Sequence, residues 1–161
     1  MMLERYAASL KLLLFAGSAL FLGVLYYWLF RAPDGVVFLA YLPERTPITD
    51  DSMLQSLIGW LPTFIHVFAF SIVTALVLGV HYACFSCCLW GSVNAVFEAG
   101  QALPDSILDH LPELLNLQDY LKTGTFSLMD LAACLLGAAG AWLLLGYFHT
   151  TEQLSEDSSV H

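Results

Sequence analysis

The chain has 161 residues, of which 58% are hydrophobic and only 12% are charged, and its mean hydropathy is +0.72. A water-soluble domain usually carries charge on about a quarter of its residues, so this composition indicates a membrane protein. The 5 Lys and Arg are outnumbered by 14 Asp and Glu, which gives a net charge of −9. This balance excludes a nucleic-acid-binding protein, because such proteins bind by neutralising phosphates.

Four apolar stretches are long enough to form membrane-spanning helices. A helix needs about 20 apolar residues to cross about 30 Å of hydrocarbon while satisfying its own backbone hydrogen bonds. A signal peptide is the competing interpretation of the first stretch, but its length and the lack of a small-residue cleavage site after it favour a spanning helix. We therefore predict an all-α, four-helix transmembrane bundle with spans at about residues 9–30, 61–80, 82–101 and 128–148.

The two long connections are predicted to carry amphipathic helices at the membrane surface. In residues 31–60, turn signals flank a short apolar run, and Asp50 or Asp51 is suited to cap a short helix. In residues 102–127, acidic residues alternate with leucines, which is typical of one or two interfacial helices. The tail, residues 149–161, is acidic and Ser-rich and is predicted to be disordered.

An even number of spans places both termini on one side of the membrane and both long connections on the other. We call these the terminal side and the loop side. The few basic residues divide between the two sides, whereas the acidic residues are concentrated in the loops. Because the first helix and its short flanks usually dominate orientation, we expect the termini to lie in the cytoplasm.

Ionisable side chains within the spans are few and therefore informative. Burying one at mid-membrane costs about 3 kcal/mol on insertion scales, so a chain that keeps one usually has a partner or a task for it. His66, Glu98 and Asp130 all lie near the loop-side ends of three different spans, so we expect them at similar depth. Asn94 and Gln101 share a helical face with Glu98. These five residues form the predicted polar pocket, our candidate ligand-binding site.

Small residues mark the predicted helix-packing faces. Gly91 continues the polar face of the third span. The fourth span carries a stripe of small residues after Asp130, namely Ala133, Gly137 and Ala141. Such residues allow helix backbones to approach closely. A structural interpretation of the polar residues also stays open, in which they hydrogen-bond one another and keep the bundle in register.

Three short motifs follow one another on successive spans. They are His66-Val67-Phe68-Ala69-Phe70, then Glu98-Ala99-Gly100-Gln101, then Asp130 followed by Gly137. In this order and spacing, over roughly residues 55–145, the chain resembles the VanZ-like family of small bacterial membrane proteins. The resemblance implies a multi-pass protein of the bacterial cytoplasmic (inner) membrane with a role in tolerance of glycopeptides or lipopeptides. The implied partners are membrane lipid and a lipid-linked envelope precursor or a lipophilic drug.

The chain departs from the family pattern at several positions. The family commonly has an Asp-Lys pair where this chain has Pro62-Thr63, and often an Arg where it has Gly124-Thr125-Phe126. An Asn that usually follows the Asp of the last helix is replaced by Cys134. The missing cations would balance the two carboxylates or hold an anionic headgroup. An anionic ligand is therefore not expected here.

Neither a catalytic nor a metal-binding motif accompanies the polar residues. His66 beside a carboxylate could act as a base, but no recognisable nucleophile motif is present, so we predict no catalytic residues. Cys84, Cys87 and Cys88 lie near the terminal side, far along the span from His66, and are too few for a closed tetrahedral site. We interpret them as small packing residues. No metal and no cofactor are predicted.

The predicted function is non-covalent binding or shielding of the headgroup of a lipid-linked or lipophilic ligand. One alternative is a non-catalytic accessory subunit that assembles with other membrane protein subunits, in which the polar residues are structural. A second alternative is a membrane-embedded lipid-modifying enzyme.

Overall fold

The computed structural model describes residues 2–30, 58–112 and 117–158, and their side chains at 6–30, 58–112 and 117–150. Within these ranges the chain is all helical, and four helices are long and apolar enough to cross a membrane. The predicted fold class is thus confirmed. The helices are α1 (Met2–Phe30), α2 (Leu61–Leu78), α3 (Ala83–Gly100), α4 (Asp105–Leu108), α5 (Leu117–Thr123) and α6 (Leu128–Ser158).

The apolar parts of the four long helices match the predicted spans closely. They cover Tyr6–Phe30, Leu61–Leu78, Val80–Gly100 and Leu128–Thr150. The helix that we predicted within residues 31–60 falls mainly on 31–57, which lie outside the described residues. In the 102–127 connection, the predicted amphipathic helices are the short helices α4 and α5.

The last helix extends further than predicted. Residues 149–158, which we expected to be disordered, continue α6 as far as Ser158. Adding a turn to an existing helix costs far less than starting one, and neither Pro nor Gly follows Gly146 to end it. The Thr150 hydroxyl donates a hydrogen bond to the Gly146 carbonyl at 3.0 Å within this extension.

α2 is the central helix of the bundle, and it packs against α1, α3 and α6. A tight turn joins it to α3: Gly79 has a φ of 111°, and the Tyr82 amide donates to its carbonyl at 2.9 Å. A positive φ ends a helix at little cost only where the residue is glycine. The two helices therefore run antiparallel, and residues near the start of α2 face residues near the end of α3.

Small residues set the distances between the helices. A Cβ atom at Gly137 of α6 would lie 2.8 Å from the Phe64 carbonyl oxygen of α2, so the two backbones touch there. Gly91 of α3 faces the Cβ of Ala138 on α6 at an ordinary van der Waals distance. Lipid is as apolar as the helices, so close packing of this kind is a main source of attraction between membrane helices. Among the described residues, the central buried cluster, which we call the core, comprises Leu12, Ala16, Ala69, Ile72, Ala75, Cys87, Ala141 and Leu145.

Candidate functional site

The loop-side end of α3 contacts the segment of the same chain that leads from α5 back to α6, which we call the returning segment. The Oε1 atom of Glu98 accepts a hydrogen bond from the Ser127 backbone amide at 2.5 Å. Gly100 lies against Leu121 of α5, where an added Cβ would come within 3.0 Å of the leucine side chain. Glu98 and Gly100 of the Glu98-Ala99-Gly100-Gln101 motif therefore contact this segment. Gln101 of the same motif contacts it as well.

Gln101 packs between two residues of the returning segment. Its side chain lies directly against Gly124, where a Cβ atom would collide with it. Partial burial raises the pKa of the nearby Tyr120 hydroxyl, the charges of Glu98 and Asp130 raise it further, and the Gln101 side chain offsets part of this rise. Tyr120 therefore lies within electrostatic reach of both carboxylates.

Ser127 caps the N-terminus of α6 with help from another helix. Its carbonyl accepts the first helical hydrogen bonds, and its hydroxyl accepts a hydrogen bond from the Asp130 amide at 3.4 Å. In a capping box, the acidic residue at the Asp130 position would accept the hydrogen bond from the Ser127 amide. Here Glu98 of α3 takes that role. The arrangement is a capping box shared between two helices.

The shared cap leaves the Asp130 carboxylate free to contact α2. Its Oδ1 atom accepts a hydrogen bond from the Thr63 hydroxyl at 3.2 Å. Three spanning helices therefore meet at the first turn of α6. We call Thr63, Glu98, Ser127 and Asp130 the carboxylate cluster.

Two acidic side chains share this cluster without a basic partner among the residues that the structure describes. Glu98 is 7% exposed, and the partial positive charge at the start of α6 favours a carboxylate there. Lys122, on the same connection, is paired instead with Asp109 at 2.5 Å. Asp109 raises the pKa of Lys122, and Lys122 lowers the pKa of Asp109. The carboxylate cluster is thus a locally acidic site at the loop-side end.

His66 and Asn94 belong to a different group of side chains, one turn deeper. The His66 ring stacks on Phe70 with a centroid distance of 5.7 Å, and Phe70 packs on Trp90 at 4.9 Å. The Asn94 side-chain amide donates to the Trp90 carbonyl at 2.9 Å. The predicted polar pocket is therefore divided between the carboxylate cluster and this α2–α3 aromatic contact. The stacking of His66 gives no support to a base oriented by a carboxylate, and hence none to the enzyme alternative.

The predicted packing residues lie between helices. Gly137 makes the closest approach to α2, and Gly91 faces α6. Ala133 and Ala141 are both buried. Their stripe on α6 is the surface against which α2 and α3 pack.

Three residues of this region were not predicted from the sequence. Thr63 appeared only as a departure from the family pattern, and nothing in the sequence marks it as a partner of Asp130. Ser127 could have been found, because Ser127 and Asp130 have the S-x-x-D spacing of a capping box. Tyr120 carries no sequence signal, since its role depends on where the connection folds back.

The cysteines do not form a ligand set with the other polar residues. Cys87 is buried in the core, and Cys84 and Cys88 are exposed on the outer side of α3. In the part of the chain that the structure describes, no three His, Cys, Asp or Glu side chains are grouped so as to hold a metal ion.

Comparison of the chain with protein-family models, curated proteins and solved structures finds no match. The resemblance to the VanZ-like family therefore stays a prediction that rests on the motifs. Three residues that carry it, Glu98, Gln101 and Asp130, do meet at the loop-side end.

Proposed function

We propose that this chain is a multi-pass protein of the bacterial cytoplasmic membrane that binds or shields the headgroup of a lipid-linked or lipophilic ligand. Binding takes place at the loop side and involves no covalent chemistry. The observation that supports the proposal is the carboxylate cluster, in which Glu98 and Asp130 approach each other without a described basic partner. Ionisable residues within membrane spans are costly, and they usually either pair with another group or take part in function.

The chemistry of the cluster favours a ligand that donates hydrogen bonds or carries positive charge. The described hydrogen bonds use Oε1 of Glu98 and Oδ1 of Asp130, so each carboxylate retains a second oxygen. Ionised carboxylates only accept hydrogen bonds. An ammonium, amide or hydroxyl group on the ligand matches them, whereas a phosphate would be repelled. Thr63, at a position where the family commonly has Lys, is consistent with this selectivity.

In this proposal the termini lie in the cytoplasm and the loop side faces outward. The cluster would then meet ligands at the outer leaflet, where envelope precursors are displayed and lipophilic drugs arrive. A net charge of −9, carried largely by the connections, would attract cationic amphiphiles to that side.

The test is a double substitution that removes charge but keeps the hydrogen bonds. In Glu98→Gln/Asp130→Asn, each side chain retains an oxygen that can accept from the Ser127 amide or the Thr63 hydroxyl. The purified variant in lipid vesicles is expected to unfold at the wild-type temperature. It should bind a fluorescently labelled cationic lipopeptide about tenfold more weakly, and a host that expresses it should lose drug tolerance.

Asp109→Asn is the matched control, because Asp109 is an acidic residue of the 102–127 connection and lies outside the carboxylate cluster. It should bind the lipopeptide as the wild type does. Unchanged binding by the double variant, at wild-type stability, would contradict the proposal. Equally weak binding by the control would show that the affinity for the lipopeptide depends on the overall charge of the protein and not on the carboxylate cluster.

A second candidate function is a non-catalytic accessory subunit of a larger membrane complex. One observation favours it: the three motif residues at the loop-side end all have contacts within the chain. Glu98 accepts from the Ser127 amide, Asp130 accepts from Thr63, and Gln101 packs against Gly124. If these contacts are purely structural, the charge-removing double variant should retain full function. Gentle purification should then recover the same companion subunits with variant and wild type.

A further inference from the structure

A cavity of about 320 Å³ lies between α1 and α2, on the face of α2 that is turned away from the carboxylate cluster. Its walls are the loop-side halves of the two helices, together with Ile58 just before α2. The lining residues that the structure describes are all aliphatic or aromatic, including Ala19, Leu25, Tyr26, Leu61, Phe64 and Ile65. We call it the α1–α2 groove.

The length of the groove corresponds to one leaflet of a bilayer. Its α1 wall runs from Ala19 to Phe30, and its α2 wall runs from Leu61 towards Phe68. At about 1.5 Å of rise per residue, the longer wall extends roughly 16 Å, about half of the ~30 Å hydrocarbon thickness. The groove therefore extends from the loop-side surface to near the middle of the membrane.

Aromatic side chains surround the loop-side end of the groove. Tyr26 packs on Phe30 at 5.4 Å and on Tyr27 at 5.8 Å between ring centroids. Tyr26 itself is 5% exposed, whereas Trp28, two residues further along α1, is 40% exposed, and an exposed tryptophan favours the depth of the lipid headgroups. The loop-side mouth of the groove thus lies near headgroup level, and its floor near Ala19 lies in hydrocarbon. An amphiphile would enter this shape with its chain inside and its headgroup beyond Phe30.

We propose that the α1–α2 groove binds one hydrocarbon chain of a membrane amphiphile. The described side chains that line it include no charged group, and the medium outside it is hydrocarbon, so water is a poor occupant. An empty groove would also leave its walls without dispersion contacts. This proposal goes beyond the headgroup site and does not depend on it. The carboxylate cluster lies where α2 meets α3 and α6, whereas the groove lies between α1 and α2.

A chain-length experiment tests the proposal. Ala19→Phe places a ring at the floor of the groove, which should exclude a long chain while leaving room for a short one. Ser18→Phe is the matched control, since Ser18 is an exposed neighbour on the same helix and does not line the groove. The probes are phosphatidylethanolamines with a photoactivatable diazirine on a palmitoyl or a decanoyl chain. Each is mixed into phosphatidylethanolamine–phosphatidylglycerol vesicles that contain the full chain.

In the wild type, the palmitoyl probe should label residues 19–30 and 58–68 about tenfold more than lipid-exposed Leu135 and Leu143 of α6. Ala19→Phe should lose about tenfold of the palmitoyl labelling and keep the decanoyl labelling, whereas Ser18→Phe should keep both. Even labelling of all exposed faces would overturn the proposal, because the lipid would then be bulk solvent only. Loss of both probes in a folded Ala19→Phe protein would also overturn it.

A second measurement on the wild type covers the case in which Ala19→Phe does not fold. Native mass spectrometry of the detergent-purified chain should detect one retained lipid per chain. Absence of a retained lipid, together with absence of groove labelling, would show that hydrocarbon chains do not occupy the groove. Either result leaves the lipopeptide experiment on the carboxylate cluster unaffected, so the two proposals succeed or fail separately.

Discussion

The loop-side end of the bundle and its core are held together by different kinds of contact. At the loop-side end, side chains from α2, α3 and α6 make directed hydrogen bonds around Ser127. In the core, small and aliphatic residues pack closely, and Ser71 contributes only a long hydrogen bond of 3.5 Å to the Ser86 carbonyl. Close packing brings helices together at many rotations and offsets, whereas a directed hydrogen bond is satisfied at one. The comparison indicates that small residues provide proximity, whereas register is set by directed hydrogen bonds, namely those of the carboxylate cluster and the 2.8 Å bond from the Trp90 indole to Thr74.

The largest expected effect comes from breaking the closest core contact. Gly137→Leu forces a side chain into the Phe64 backbone, and overpacking of this kind costs about 1–3 kcal/mol or more. Backbone cannot move aside as a flexible side chain can, so we expect the upper end of this range. Thermal unfolding in detergent measures it. Gly146→Leu is the control, because an added Cβ there meets nothing within 4 Å. Equal stability of the two variants would mean that the α2–α6 approach is not tight.

The next effect comes from removing the shared cap. Glu98→Ala leaves the Ser127 amide without its acceptor at a partly buried helix start, which should cost about 1–2 kcal/mol. Glu98→Gln keeps an acceptor oxygen and should cost much less. Chemical unfolding measures the difference in stability between these two variants and so tests whether this contact sets the register of α6. If Glu98→Ala unfolds as the wild type does, Glu98 does not hold α6.

Hydrogen bonds between side chains of neighbouring helices should contribute less. Thr63→Val removes the hydroxyl that donates to Asp130 and keeps the shape, at a cost of about 0.6 kcal/mol. Thr74→Val removes the acceptor of the Trp90 indole N–H, a 2.8 Å hydrogen bond away from the cluster. A double-mutant cycle of Thr63→Val with Asp130→Asn isolates the first interaction. A coupling energy near zero would show that Thr63 of α2 does not interact with Asp130 in the carboxylate cluster.

The smallest effect is expected at the exposed pair of Lys122 and Asp109. Lys122 lowers the pKa of Asp109, so any contribution of this carboxylate to stability is present above its unfolded pKa and is lost as the pH falls through its folded pKa. Conversely, Asp109 raises the pKa of Lys122, so the contribution of the amine is lost at alkaline pH. Lys122→Met should return the pKa of Asp109 towards its ordinary value, as measured by NMR titration. The unfolding temperature should not change measurably, because exposed pairs stabilise little.

The sequence alone was sufficient to locate the four spans, because bilayer thickness requires a minimum apolar length for each one. It also placed Glu98, Gln101 and Asp130 at the same end of the bundle, since depth follows from position along a span. Gly137 could be identified as a packing residue for a similar reason, because small residues at helical spacing define one face.

Only the tertiary structure decided which way each helix is turned and what each side chain meets. Hydropathy reports depth but not rotation about the helix axis, so it could not show that His66 stacks on Phe70 instead of joining the carboxylates. Nor could it show that the partner of Glu98 is the Ser127 backbone amide, which is contributed by a segment that folds back from 29 residues away. The α1–α2 groove likewise exists only because two particular faces meet imperfectly. Contacts between helices and the voids between them are properties of the packed bundle, and no single helix contains the information that produces them.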